Sequence, residues 1–322
     1  MKKPLQQIAP QVARGKFTED LWTDNNYIAE EKLDGERFKM HVFADGNRFD
    51  SRTISKKTNK FTEKTGNVPH LSNFKMPYLD GTILDGEIKF GDNSMSTSTI
   101  MGCLPEEAIN RQKEANKFVN YYVFDVIHYC GTDVRNLQYH ERRAMLEQMY
   151  EGYLQFSPYI KLTTRAYIKK KEFCDKIFKN GGEGVILKNL WAPYTDKKAW
   201  IKVKAQATFD VVIMGYEEAT PETIKKGDDK ATISRLAANG WIGAVVFGQY
   251  VDGKLKKFGK ASGMPDDIRS KYSKNKEKYI GRVIKIEAQS RIPKTGYFRH
   301  PRFLCERPDK NANDCIFYEG EK

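Results

Sequence analysis

Asn26-Tyr27-Ile28-Ala29-Glu30-Glu31 runs directly into Lys32-Leu33-Asp34-Gly35-Glu36 and then Arg37-Phe38-Lys39-Met40-His41-Val42-Phe43; after Ala44-Asp45-Gly46-Asn47 the chain resumes as Arg48-Phe49-Asp50-Ser51-Arg52. Asp-Gly between alternating apolar runs predicts a β-hairpin at 44–47, so residues 26–52 read as extended segments around turns. Lys32 stands in the earlier turn, in the pattern Lys-x-Asp-Gly-x-Arg. A lysine in a tight turn, beside a glycine that lets the backbone approach a ligand and an arginine that can meet a phosphate, can act as a nucleophile toward phosphorus. Its amine must first lose its proton. Neighbouring cations lower the pKa of such an amine and neutralise a phosphate under attack. Most lysines are solvated surface charges, but this pattern arises by chance at roughly 2 × 10⁻⁴ per lysine, which singles Lys32 out.

The rest of the chain frames that motif. Its 322 residues suffice for two domains, each with its own core. The formal net charge is +13, of which residues 207–322 carry +6 and residues 1–206 carry +7. A basic tail on a neutral enzyme would be asymmetric; this even spread suits two halves facing one extended polyanion, although solubility charge is the plainer account. At 39% hydrophobic and 12% aromatic the chain has the means to fold. Its apolar runs fall short of the roughly 18 residues of a membrane span, and Met1-Lys2-Lys3 leads into Pro4 rather than a signal-peptide core, so an intracellular chain without membrane contact is expected. Five scattered cysteines without a C-x-x-C spacing argue against a disulfide framework or structural zinc.

Helical spacing of apolar residues predicts helices over 105–119, 140–153 and 168–180, the last stopped by Gly181-Gly182. Strand-like runs cover 119–127, 184–188 and 199–204. After Gln206 the texture changes to short strands with glycine turns, among them a second hairpin at Asp252-Gly253, which predicts a small barrel. The domain boundary is placed near Ala207, giving domains 1–206 and 207–322. The polar stretch 217–240 is too long for a simple turn.

Taken with the motifs that follow it in order, the Lys32 segment resembles that of the covalent nucleotidyltransferases, and among them the ATP-dependent DNA ligases. The resemblance runs from about Tyr27 to Lys310. It implies that Lys32 becomes linked to AMP, that Glu31 and Arg37 lie at the nucleotide with Arg37 on the phosphate side, and that Arg52 of Ser51-Arg52 helps hold the 5′-phosphate end of a nick. Ile83-Leu84-Asp85-Gly86-Glu87 resembles the element whose glutamate binds the ribose. Glu87 suits that role because a carboxylate accepts hydrogen bonds from hydroxyls. Tyr121-Tyr122-Val123-Phe124-Asp125-Val126 reads as a buried strand in which the resemblance assigns Phe124 to stacking on adenine. Residues 136–146 also look ligase-like, although Arg142 and Arg143 there could equally present a basic helix face.

Gly182-Glu183-Gly184-Val185-Ile186-Leu187-Lys188 resembles the motif whose glutamate engages the catalytic metal, which assigns Glu183, with Glu87, to Mg²⁺. Mn²⁺ suits the same hard oxygens. Trp200-Ile201-Lys202-Val203-Lys204 places Lys202 and Lys204 on one face of a strand, where two ammonium groups can hold a triphosphate. Alternating lysines also occur as protection on edge strands. Residues 298–310 resemble the last family motif, so that Arg307, Asp309 and Lys310 would orient the pyrophosphate leaving group. By position alone, the loop 217–240 matches a DNA-closing clasp inserted in the smallest viral enzymes. The segment before Tyr27 offers no large helical DNA-binding domain, and residues 311–322 match no motif.

The expected fold class is α+β: a nucleotidyltransferase (adenylation) domain of antiparallel sheets with flanking helices, followed by an all-β oligonucleotide-binding (OB) barrel. The expected function is sealing of nicked duplex DNA by a monomer that uses ATP and Mg²⁺. An RNA ligase and a GTP-dependent mRNA capping guanylyltransferase share parts of the pattern. A non-catalytic nucleic-acid-binding protein explains the charge and the barrel, but not Lys32, Glu87, Glu183, Lys202 and Lys204 in motif order.

Overall fold

Along Glu36–Phe43 the side chains alternate: Phe38, Met40 and Val42 enter an apolar core, while Arg37, Lys39 and His41 lie on the opposite face. The pleat of a strand imposes this period of two. A computed structural model describes the chain except for residues 1–3, 6–7, 56–57, 205–206, 225–230, 290, 293–294 and 318–322, and describes 222–224 and 231–233 as backbone only. The chain divides into two compact units, Met1–Lys204 and Ala205–Lys322.

In the first unit, β1 (Tyr27–Lys32) belongs to a four-stranded antiparallel sheet and β2 (Glu36–Phe43) to a seven-stranded one. Leu33-Asp34-Gly35 is therefore a crossing between two sheets. The expected hairpin joins β2 to β3 (Gly46–Ile54), with Phe43 opposite Gly46 and Phe38 opposite Ser51. β4 (Phe61–Glu63), β5 (Ile83–Lys89), β6 (Asn120–Tyr129) and β7 (Thr132–Asp133) complete the order β4-β3-β2-β5-β6-β7. β8 (Ile160–Leu162) joins β6 in a parallel pair, a departure from the antiparallel sheet expected. β9 (Arg165–Ala166), β10 (Gly184–Asn189) and β11 (Trp200–Lys204) form the other sheet in the order β11-β10-β1-β9.

Helices cover these sheets. Tyr139–Gly152 starts on a reciprocal cap between Gln138 and Glu141 and sinks Leu146 and Met149 into the core of Phe38 and Met40. Lys170–Lys179 packs Cys174 and Ile177 against Ala29, Val185, Leu187 and Ile201 of the smaller sheet. The helix expected over 105–119 ends at Glu114, because Asn116 adopts a left-handed φ of 45° that turns the chain toward β6.

One row of paired residues crosses the larger sheet: Asp50 on β3, Lys39 on β2, Asp85 on β5 and Asp125 on β6. All four are buried, and each carboxylate has its own arginine: Arg48 for Asp50, Arg37 for Asp85 and Arg142 for Asp125. Burial of this kind demands such partners.

The second unit contains β12 (Ala207–Glu218), β13 (Glu222–Ile224), β14 (Ala231–Ile233), β15 (Ile242–Val251), β16 (Lys254–Ala261), β17 (Val283–Ala288) and β18 (Arg302–Glu306). Five of them form an antiparallel sheet in the order β16-β15-β12-β17-β18. Its edges meet, since the Phe303 N–H donates to the Ser262 carbonyl at 2.9 Å. Val211, Ile213, Val245, Phe247, Ile284 and Tyr272 lie in its core. The Asp252-Gly253 turn has φ of 50° and 72°, the sign that a tight two-residue hairpin requires. The stretch 217–240 holds more structure than a loop: the end of β12, the hairpin β13–β14 and a helical turn at Arg235–Ala238 capped by Ser234. Residues 225–230 of that stretch lie outside the described residues. The tail matched by no motif pairs with Tyr250 near the end of β15, and its Phe317 stacks on Phe258 of β16 at 4.8 Å.

Among the described residues, no helix is long and apolar enough to cross a membrane.

Candidate active site

Cross-strand register fixes which side chains share the smaller sheet's face. Lys204, Gly184 and Lys32 form one row, Lys202, Ile186 and Glu30 the next, and Trp200, Lys188 and Ile28 a third. Opposed residues in antiparallel strands project to the same side. This face therefore carries Lys32, Lys202 and Lys204 together, while the other is sealed by the helix Lys170–Lys179.

Glu183 precedes β10 and joins two of these cations. Lys32 Nζ donates to its Oε2 at 2.5 Å, and Lys204 Nζ lies 2.8 Å from its Oε1. Gly184 makes the approach feasible: its φ is +139°, and a Cβ there would stand 2.1 Å from the Val203 carbonyl oxygen. Lys202 is exposed, and its pKa is lowered by desolvation and then by repulsion from Lys32, Lys204 and Arg52. Arg52, exposed on β3, thus adds a fourth positive charge from the other sheet. Four cations around one glutamate make a basin suited to phosphate oxygens.

The larger sheet contributes Glu87, Arg37 and Phe124. Glu87 stands opposite Arg37 on β2, and burial pushes its carboxyl up to about 8 against the pull of Lys32 and Arg37, with Glu183 and Asp85 adding repulsion. Gly35 of the crossing touches this site: a Cβ there would lie 2.3 Å from the Ile88 carbonyl oxygen and 2.9 Å from Glu87 Cγ. Phe124 is half-buried, with its ring edge-on to Trp200 at 5.9 Å.

Two sequence expectations change. Glu31 lies on the sealed face, because side chains alternate along β1, and there its carboxylate accepts a hydrogen bond from Thr164 at 2.7 Å. Its neighbour Glu30 shares the face of Lys32. Arg37 is not an open phosphate contact in this structure. Nε donates to Asp85 at 2.8 Å and Nη2 to the same carboxylate, while Nη1 donates to the Gln11 carbonyl at 2.5 Å. Its guanidinium lies 5.2 Å from the Phe124 ring centre and 5.3 Å from that of Trp200. Burial opposes its charge, but Asp85 more than compensates and raises its pKa further.

Arg307, Asp309 and Lys310 follow β18 in the second unit. Arg307 bridges Asp210 at 2.9 Å and Asp309 at 2.7 Å, its hydrogen bonds hold Asp309 down at about 2, and Lys310 is exposed.

Comparison with known proteins fits this arrangement. Residues 8–204 match the family model of the ATP dependent DNA ligase domain. The chain belongs to the ATP-dependent DNA ligase family. It is 28% identical over 242 residues to DNA ligase 4 of Emericella nidulans, covering 66% of this chain and 23% of that protein. It is 29% identical over 192 residues to a probable DNA ligase of Kineococcus radiotolerans, covering 59% of this chain and 36% of that protein. The chain thus spans well under half the length of these relatives. Its fold is like that of a solved Lig E DNA ligase, with a TM-score of 0.60 and 19% identity, covering 93% of this chain and all of the other.

Two site residues of this ligase-family chain, Glu30 and Lys188, carried no assignment from the sequence. Glu30 is buried and paired with Lys188 at 2.5 Å and Arg143 at 2.9 Å, and it accepts from the Tyr139 hydroxyl. Lys188 in turn sits 4.3 Å from the Trp200 ring centre and donates to the Phe124 carbonyl at 3.1 Å. The signal was present as parity, since Glu30 and Lys32, like Ile186 and Lys188, are two apart on strands.

The family uses ATP with a divalent metal, and the donors here fit a sparsely held cation. Glu87 and Glu183 repel each other, which a cation would relieve, yet among the described residues no group of three or more His, Cys, Asp or Glu converges. A hard ion would be completed by phosphate oxygens and water, as is usual for Mg²⁺.

Proposed function

We propose that this chain is an ATP-dependent DNA ligase that seals nicks between a 3′-hydroxyl and a 5′-phosphate in duplex DNA. The observation that carries the proposal is Lys32 in contact with Glu183 within the cation group of Lys202, Lys204 and Arg52. Nothing in a solvated surface lysine would call for that assembly.

In this reading Lys32 gives up its proton, for which Glu183 is the neighbouring acceptor, and its nitrogen attacks the α-phosphorus of ATP. The N–P bond forms as the bond to the bridging oxygen breaks, and pyrophosphate leaves with the electron pair. Lys202 and Lys204 hold the phosphates and offset the charge of the transition state, so catalysis is mainly positioning and neutralisation. Glu87 accepts from the ribose hydroxyls and Phe124 stacks on adenine. A bound divalent cation, held through Glu183 and Glu87, would supply further neutralisation of phosphate oxygens; Mg²⁺ is proposed, and Mn²⁺ meets the same donor chemistry.

The AMP then passes to the 5′-phosphate of the nick, held by Arg52, which frees Lys32. Finally the 3′-hydroxyl attacks that phosphorus and AMP departs. The second unit is read as an OB barrel, supported by its five-stranded order and its joined edges. Arg307, Asp309 and Lys310 are assigned to orient pyrophosphate during the first step, and the stretch 217–240 to contact DNA. Units 1–204 and 205–322 are accordingly read as adenylation and OB domains. A charge of +13 suits a duplex DNA partner bound by a monomer inside the cell.

The test is sealing of a labelled nicked DNA duplex with ATP and Mg²⁺, beside an all-RNA nick and a parallel incubation with labelled GTP. DNA sealing that is lost in Lys32→Ala is the expected result. Covalent GMP in place of AMP, or preference for the RNA nick, overturns the proposal.

A further inference from the structure

The N-terminal segment is tied to β2 at regular steps. The Leu5 N–H donates to His41 Nδ1 at 3.3 Å, Lys39 Nζ donates to the Ile8 carbonyl, and Arg37 Nη1 donates to the Gln11 carbonyl at 2.5 Å. A few residues later the same segment crosses to the smaller sheet. There the Arg14 N–H donates to the Lys197 carbonyl at 3.0 Å and the Gly15 N–H to the Trp200 carbonyl at 3.1 Å. Gly15 passes so close that a Cβ would meet Ile201 Cγ1 and the Lys198 carbonyl oxygen at 2.4 Å. Leu33-Asp34-Gly35 crosses between the sheets at one place; this strap crosses at another, beside Phe124 and Trp200.

Tyr194 closes the strap onto Arg37. Its buried hydroxyl accepts from the Gln11 N–H at 3.0 Å and from Arg37 Nη2 at 3.1 Å, and it donates to Asp85 Oδ2 at 2.6 Å. A phenol has one proton and two acceptor sites, so every hydrogen-bonding position of this oxygen is used. The ring itself is fixed separately, edge-on to Trp200 at 6.0 Å. Arg37 is thereby fixed from three sides, by Asp85, Gln11 and Tyr194, with its guanidinium toward the rings of Phe124 and Trp200.

We infer that the Tyr194 hydroxyl, loaded by the strap at Gln11, is a positioning group for Arg37 in nucleotide transfer to Lys32. The inference rests on the proposed adenylation reading. Its role is indirect: Tyr194 sets the guanidinium, and the guanidinium lies against Phe124, the proposed adenine platform.

The experiment is a double-mutant cycle on the full chain, with Tyr194→Phe, Arg37→Gln and the pair, following covalent AMP on Lys32 in single turnover across ATP concentrations. Tyr194→Phe keeps the ring and removes the oxygen. It is expected to lower the adenylation rate about tenfold, the scale of a lost hydrogen bond to a charged group. In the Arg37→Gln background the same change is expected to cost less than about twofold, because a residue acting through Arg37 has nothing left to position. Equal losses in both backgrounds, or no loss in Tyr194→Phe, overturn the inference. Absence of any adduct in the unmutated chain overturns the adenylation reading instead. Should Tyr194→Phe not fold, Gln11→Pro removes the N–H from which Tyr194 accepts and keeps the carbonyl that Arg37 uses, with Gln11→Ala as the control for the side-chain hydrogen bond to the Asp196 carbonyl that is lost in both. The same Arg37-dependent loss is then expected, and its absence is equally decisive.

Discussion

Lys32 Nζ lies 2.5 Å from Glu183 Oε2, closed by the register that sets Lys32 opposite Gly184. The second oxygen of that carboxylate faces Lys204 at 2.8 Å, so one glutamate is shared by the proposed nucleophile and a proposed phosphate-binding cation. A carboxylate in this position can take a proton from Lys32 and can bind a divalent cation.

Glu183→Gln preserves the shape of that side chain and removes its charge. Covalent AMP formation is expected to fall by about a hundredfold or more, the scale of a lost acid–base group, with the fold intact. Labelled ATP and gel detection of the adduct read it directly, and near-normal labelling would remove Glu183 from the chemistry.

Phe124→Leu keeps an apolar side chain on β6 but removes the aromatic face. Base–aromatic stacking is worth about 1–3 kcal/mol, so the KM for ATP is expected to rise by roughly tenfold or more, with a smaller change in the maximal adenylation rate. Unchanged KM would place adenine elsewhere.

Gly35→Ala puts a methyl group 2.3 Å from the Ile88 carbonyl oxygen and 2.9 Å from Glu87 Cγ. Displacing that strand is expected to cost about 1–3 kcal/mol of stability and to depress adenylation well beyond what the lost stability explains. Unfolding and adduct assays on one preparation separate the two effects.

Arg142 and Asp125 form a fully buried pair at 2.8 and 2.9 Å. Arg142→Ala leaves the carboxylate buried without its partner, and about 3–5 kcal/mol of stability is expected to be lost. Denaturant unfolding would show this, and a loss under 1 kcal/mol would mean that Asp125 finds another partner or a proton.

His41 is buried with its Nε2 3.2 Å from Asp50, and burial holds its pKa below the ordinary histidine value; His70 and His128 are lowered for the same reason. Asp50 is held low by hydrogen bonds from His41 and Arg48 despite burial. Below about pH 6.5 these histidines bind more protons in the unfolded chain than in the folded one. Their contribution to stability is expected to be fully present above that pH and to be lost as pH falls through their lowered values, with Asp50 extending the loss to lower pH; Glu87, whose carboxyl stays protonated up to about 8 in the folded chain, contributes in the opposite sense. His41→Gln should flatten the upper part of that loss in a series of denaturant midpoints.

Much of the candidate site was legible because short-range rules carry it. Lys202 and Lys204 share a face by strand spacing, and Lys32 and Glu183 stand beside glycines whose absent side chains leave room for close approach. Glu31 shows the limit: the resemblance assigned the glutamate next to Lys32, and only the parity of β1 tells that its neighbour Glu30 shares the face of Lys32. Lys188 and Glu30 were hidden for another reason, since a buried ion pair and two surface charges are spelled with the same letters. The distribution of β1 and β2 into different sheets was equally invisible, because a sheet is defined by partners far away in sequence. The hairpin β13–β14 escaped because three-residue strands are too short to show a period.

The crossing at Leu33-Asp34-Gly35 has a mechanical corollary. It is the gearing between two sheets whose side chains are each phased by their own cores: Ala29 inward on one, Phe38, Met40 and Val42 inward on the other. Because β1 is held in phase by β9 and β10 and β2 by β3 and β5, a residue added or removed between Lys32 and Arg37 would have to be absorbed within these three residues, or else push one strand a step along its sheet and turn its side chains over. The separation of Lys32 from Arg37 is thus counted out by the packing of two sheets.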